Sequence, residues 1–170
     1  MSNSITYESK NMDCRCSNGC MSALMTVIGL SGSKLAQNDF EKTFIIWLME
    51  KDQSCIGLGM AGFDITEMPW KKEYFNEQKE FIIKVLEGIM DKVGWDTLDY
   101  EPNMEIISDK VHQLKEMFGK MQPEDINMIA VNEWLNDTSD TEPIKTGCPK
   151  CKKHNIYLSL FGCIACNDMF

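Results

Sequence analysis

Apolar residues recur at helical spacing along most of the chain, and the breaks between these runs set its organisation. The run MSALMTVIGL comes after Ser17 and Asn18, either of which can cap a helix, so a helix is predicted over residues 17–30, with SGSK as the turn after it. Asn38 and Glu41 have capping-box spacing, and Phe40, Phe44, Trp47 and Leu48 recur at i, i+4, i+7 and i+8, which predicts a second helix to about Asp52. The clearest stripe joins Ile82, Val85, Leu86, Ile89, Met90 and Val93, extended upstream by Phe75 and Phe81. It predicts a helix over 70–93, with Pro69 at its first position, Gly94 as a left-handed cap, and Gly88 marking close approach of a neighbour. Asn103 caps a fourth helix carrying Ile107, Val111, Leu114 and Phe118. Pro123 opens a fifth that buries Ile126, Ile129, Ala130 and Trp134.

The polar stretches supply the boundaries. Residues 1–16 are patternless and are expected to be flexible. QSCIGLGMAGFDITEM is too rich in glycine for a helix interior and reads as a long loop, with a short strand over 54–58. The predicted fold is therefore mostly α: a domain of about five helices over 17–136, a linker over 137–146, and a small module over 147–170. A chain of 170 residues with 44% apolar and 25% charged composition can hold one core plus such a module. No apolar run approaches the roughly 18 residues needed to span a bilayer. Glu8, Asp13 and three cysteines precede MSALMTVIGL, which argues against a secretion signal and for a cytoplasmic protein. In a reducing compartment eight cysteines point to metal rather than disulfides.

Charge narrows the choice of partner. Residues 145–170 carry four lysines against Asp168, or +3, so the first 144 residues hold −12 against a total of −9. A body this acidic repels a phosphate backbone and suits a basic protein partner. The lysines of the tail are offset by its thiols: four thiolates with one divalent ion would leave it at about +1.

Cys148-Pro-Lys-Cys151 and Cys163-Ile-Ala-Cys166 flank KKHNIYLSLFG, whose alternation over 156–160 suits a β-hairpin bringing the second pair over the first. Two such turns facing each other supply four sulfurs for tetrahedral zinc, with iron as the competing ion. His154 is a spare ligand, read as a strand or turn residue. The pattern resembles the zinc-ribbon family over its two CxxC knuckles, Pro149 and Gly162, although Lys152 stands where a glycine often succeeds the first pair. The resemblance covers about 24 of the 170 residues and implies a two-knuckle β-hairpin around one structural ion.

Other motifs are weaker. Cys14, Cys16 and Cys20, with Cys55 or His112 as a fourth ligand, could form a second metal site or stay as thiols. GLGMAG at 57–62 matches a dinucleotide fingerprint in letters, but a helix precedes it, Pro69 breaks any helix it could open, and Ile82 stands where an acid is needed. Asp64 and Glu67, in the loop GFDITEMPW, could bind a partner or cap the next helix. The chain has two histidines and lacks HExxH, a P-loop and a nucleophile elbow, so no enzyme is expected. The expectation is a zinc-containing binding protein, such as an immunity protein, inhibitor or adaptor. The alternatives are a nucleic-acid-associated regulator using Lys150, Lys152 and Lys153, and a nucleotide-binding enzyme using the glycine loop.

Overall fold

Strands form where the sequence shows no pattern. In a computed structural model describing residues 3–166, β1 (Ser4–Tyr7) and β2 (Met12–Arg15) make an antiparallel hairpin with Ile5 opposite Cys14. A 3₁₀ turn, Glu8–Lys10, and Asn11 in the left-handed region (φ 54°) join them. β3 (Phe63–Asp64) pairs parallel to β1, giving the strand order β2-β1-β3. Ile5, Tyr7 and Cys14 are fully buried, so the segment expected to be flexible is anchored in the core. These strands also correct the predicted fold class, which puts its hairpin at the C-terminus. Among the described residues the tail has only isolated bridges, Lys150 with Tyr157 and Ser159 with Gly162, so the β-hairpin of a zinc ribbon is not formed there.

Among the described residues there are six helices besides this sheet, with α4 packed on β2: α1 (Asn18–Leu35), α2 (Asp39–Glu50), α3 (Phe75–Met90), α4 (Met104–Lys120), α5 (Met128–Leu135) and the short α6 (Glu142–Lys145). The start of α2 carries the full capping box: Asn38 Oδ1 accepts the Glu41 N–H at 3.0 Å, and Glu41 returns a carboxylate to the Asn38 N–H at 3.3 Å. Asn103 caps α4 by accepting from Glu105 and Ile106. α1 does not stop at Leu30. SGSK lies inside it, because Ser31, Gly32 and Ser33 are buried against other elements and small residues are what that packing requires. α3 begins later than predicted, after a 3₁₀ turn at Lys72–Tyr74, and ends at Met90; Lys92 as well as Gly94 then takes a left-handed conformation.

α5 differs in register. Pro123 opens only a 3₁₀ turn, and the helix proper starts after Asn127, whose Oδ1 accepts the Ala130 N–H at 3.1 Å. The buried residues are then Val131 and Trp134, while Ile129, predicted to be core, is exposed. Among the described residues no helix is long and apolar enough to cross a membrane.

Trp134 meets a buried carboxylate. Its Nε1–H donates to Glu50 Oε2 at 2.9 Å, at the C-terminal end of α2. Burial pushes the Glu50 carboxyl up to about 7; the Trp134 hydrogen bond and Lys51 oppose this, while Asp140 and Asp137 add to it. An acid whose folded pKa is raised holds its proton longer in the fold than in the open chain. Its contribution is therefore complete below the unfolded pKa, about 4.3, and is lost as pH rises toward 7, by at most about 4 kcal/mol. Gln at this position keeps an acceptor for Trp134 without the titration. Glu50→Gln is expected to raise stability at pH 8 by about 1–3 kcal/mol and to flatten the fall in stability between about pH 4.3 and 7, measured by urea unfolding across pH.

Candidate metal centre

Two tight turns at the end of the chain bring four donor atoms together. At the first, the Asn155 N–H donates to the Cys151 carbonyl at 2.8 Å, and Asn155 sits at φ 60°, reversing the chain. The Cys151 N–H donates to the Ile156 carbonyl at 2.8 Å and the Leu158 N–H to the Pro149 carbonyl at 2.9 Å, tying both arms of the turn. This folds His154, three residues on, back beside the Cys151 sulfur. At the second, Gly162 at φ 85° precedes Cys163-Ile-Ala-Cys166, and the Gly162 N–H donates to the Ser159 carbonyl at 3.0 Å. The two turns share one internal pattern: Lys153 and His154 point backbone N–H groups at the Cys151 sulfur, as Ala165 and Cys166 do at the Cys163 sulfur.

The donor atoms of Cys151, His154, Cys163 and Cys166 lie within 4.8 Å of one another. His154 Nδ1 is 3.2 Å from Cys166 Sγ, 3.7 Å from Cys163 Sγ and 3.8 Å from Cys151 Sγ, and the Cys151 and Cys166 sulfurs are 3.6 Å apart. A tetrahedral ion with bonds of about 2.3 Å to sulfur and 2.0 Å to nitrogen sets its ligands about 3.8 Å apart for two sulfurs and about 3.6 Å for sulfur and nitrogen. Four of the six spacings, at 3.2–3.8 Å, lie within about 0.4 Å of those values and all six are within 4.8 Å, so these residues could hold one metal ion.

Burial acts to raise the Cys151 thiol, but the N–H groups of His154 and Lys153 and the neighbouring thiols bring it below the ordinary cysteine value. Cys163, more deeply buried, is pushed up to about 12. A bound cation would remove that difference, because it deprotonates every coordinating thiol. Burial also lowers the His154 pKa, with Lys153 adding to the effect, which keeps the imidazole neutral as a ligand must be. Three thiolates, one neutral histidine and a divalent ion leave residues 145–170 at about +2 rather than +1.

Cys148 stands outside this group. Gly147 at φ 93° and Cys148 itself at φ 55° are both left-handed, and burial, with Asp39 adding and Lys42 opposing, raises the Cys148 thiol pKa. The predicted ligands Cys151, Cys163 and Cys166 converge. His154, which the sequence suggests is a strand or turn residue, is the fourth donor. Its signal is Cys151-x-x-His154, a knuckle spacing as good as Cys148-x-x-Cys151.

The N-terminal cysteines do not converge in the same way. Cys14 lies buried in β2, and Cys16 and Cys20 flank the α1 cap, close enough to hydrogen bond; burial pushes Cys14 to about 11 and, helped by Cys20, Cys16 to about 12. Among the described residues only the C-terminal group can hold a metal. The Cys55 side chain lies outside what is described, and His112 is an exposed residue of α4.

Asp64 and Glu67 act as caps. Asp64 accepts from the Thr66 N–H and hydroxyl at 3.0 and 2.6 Å, from Thr6 Oγ1 at 3.0 Å and from the Glu8 N–H at 2.8 Å, while Glu67 accepts from the Asp64 N–H at 2.8 Å. They thereby shape an open cleft of about 820 Å³ whose walls also include Glu8, Glu124, Asp125 and Arg15. The glycine loop comes after a 3₁₀ turn, Ser54–Ile56, and leads into β3, so it is not the strand–loop–helix turn that a dinucleotide fingerprint requires; Asn18, at the start of α1, lines a pocket with Gly57 and Gly59. Of the three tail lysines, Lys150 is engaged, donating to the Ser33 carbonyl at 2.9 Å and lying 4.7 Å over the Tyr157 ring; Lys152 and Lys153 are exposed.

No family model, curated protein or solved structure matches the chain.

Geometry sets the test of the ligand set. Cys163→Ser and His154→Ala are expected to lose bound metal and the order of residues 147–166, whereas Cys148→Ser keeps a full complement, read by elemental analysis and near-ultraviolet circular dichroism. Equal loss in Cys148→Ser would return that residue to the ligand set.

Proposed function

We propose that this chain is a non-enzymatic, cytoplasmic binding protein in which zinc fastens the tail and the acidic body grips a basic protein partner, in the manner of an immunity protein, inhibitor or adaptor. Zinc is the ion favoured by three thiolates and one histidine in a tetrahedron. With all four positions taken by side chains there is no open site for water, which suits a structural ion.

The observation that carries the partner reading is the acidic cleft. Glu8, Asp64, Glu67, Glu124 and Asp125 line it and, among the described residues, face one lining cation, Arg15. Because Asp64 and Glu67 are held by several hydrogen bonds each or in a capping box, their charges are fixed in place before any partner arrives. Pre-set negative potential in a concavity speeds encounter with a basic surface and repels acidic ones.

Two measurements test this. Protein purified under reducing, chelator-free conditions is expected to carry about one zinc per chain, and a value near zero removes the ion from the proposal. Immobilised wild-type protein is expected to capture a basic protein from native lysate at low salt and release it as salt rises. An acidic partner, salt-insensitive capture or no capture at all overturns the reading.

A further inference from the structure

We infer that the exposed face of α5, beside the acidic cleft, is a docking surface for a basic amphipathic helix of a partner protein. The inference rests on the proposed binding function and names the surface that performs it.

At 100° per residue, Met128, Ile129, Asn132 and Leu135 share one face of the helix, and Val131 and Trp134 lie on the other. The second face is already buried. On the first, Ile129 is 73% exposed, Leu135 42% and Met128 39%. An isoleucine this exposed on an eight-residue helix contributes little to the core, and Met128 and Leu135 are exposed on the same helix, with Asn132 between them. The helix is held firmly beneath them: the Asn127 N–H donates to the Thr66 carbonyl at 2.9 Å, Asn127 caps Ala130, and Trp134 is fixed by Glu50. A partner would meet a preformed surface.

Charge selects the occupant. Between Lys120 and Lys145 the chain has six carboxylates, at Glu124, Asp125, Glu133, Asp137, Asp140 and Glu142, and no lysine, arginine or histidine. Glu124, Asp125 and Asn127 also line the cleft, so its acidic wall runs directly into the start of α5. An apolar patch within so negative a field repels anionic lipid, nucleic acid and a second copy of this chain alike. It complements a helix with apolar residues at i, i+3 or i+4 and lysine or arginine on its flanks.

The test uses the full-length protein and a synthetic amphipathic helix of leucine and lysine about five turns long, with a scrambled peptide of the same composition as control, monitored by fluorescence anisotropy at low salt. The helix is expected to bind and the scramble to bind much more weakly. Ile129→Ser, a change at an exposed position that leaves folding intact by circular dichroism, is expected to weaken binding about tenfold, and Glu133→Lys to weaken it further as salt falls. No binding, equal affinity for both peptides, or unchanged affinity in Ile129→Ser overturns the inference. So does a wild-type dimer in sedimentation that Ile129→Ser converts to monomer, which would assign the face to self-association. If Ile129→Ser still captures the basic protein that wild type takes from lysate, this surface fails and the binding function stands. If wild type captures none, the function fails as well.

Discussion

Close approach at one turn of α1, residues 28–33, is the constraint on which the remaining packing depends. A Cβ on Gly32 would collide with Ile45 of α2 and one on Gly29 with Met49, while Gly88 of α3 leaves room for Ser31. Three helices therefore converge so closely that a larger side chain at any of these glycines would displace a neighbour's side chain. Ser31 uses its hydroxyl to donate to the Val85 carbonyl at 2.7 Å, so a polar group in the middle of the core is satisfied. Each glycine costs a helix about 1 kcal/mol relative to alanine, and the burial of Ile45, Met49 and Val85 against the bare backbone offsets that cost.

The same turn receives the tail. Ile156 packs over Gly29, the Tyr157 N–H donates to Ser33 Oγ at 3.0 Å, and Lys150 reaches the Ser33 carbonyl. That carbonyl is among the last four of α1, which have no partner within the helix, and a cation there also meets the negative end of the helix dipole. The turns that carry the Cys/His cluster are thus also a cap on the central helix.

What can be read from the sequence depends on the range of the interactions. The Asn38–Glu41 box, the Asn103 cap and the stripe from Phe81 to Ile89 are decided within a few residues, and the structure keeps them. SGSK reads as a turn because small residues lower helix propensity; only the packing of α2 and α3 against it makes the helix continue. β1 needs Phe63, nearly sixty residues away, as its parallel partner, and no local pattern announces that pairing. A helix starting at Pro123 would place Ile129 in the core. Starting it after Asn127 turns the helix and moves Ile129 outward. At the metal centre the residue types are legible and the fourth ligand is not. Four cysteines in two CxxC pairs look self-sufficient, while the folded chain gathers His154 and not Cys148 into the cluster, with residues 147, 148 and 155 in left-handed conformations.

These differences bear on how metal and binding surface relate. The tail packs on the C-terminal half of α1, whereas the acidic cleft is built from β1, β3, the 3₁₀ turn at Ile65–Glu67 and the segment leading into α5. Among the described residues no ligand of the metal lines the cleft. The two are joined through the body: α1 packs on α2, α2 ends at Glu50, and Glu50 holds Trp134 on the buried side of α5. The Cys/His cluster is therefore linked to the cleft only at a distance, through the end of the helix on which α2 and α3 are stacked. The charge of the cleft comes from carboxylates, of which Asp64 and Glu67 are held by the backbone of the sheet and its turns, and the fold keeps its Cys/His cluster and its acidic cleft on separate elements.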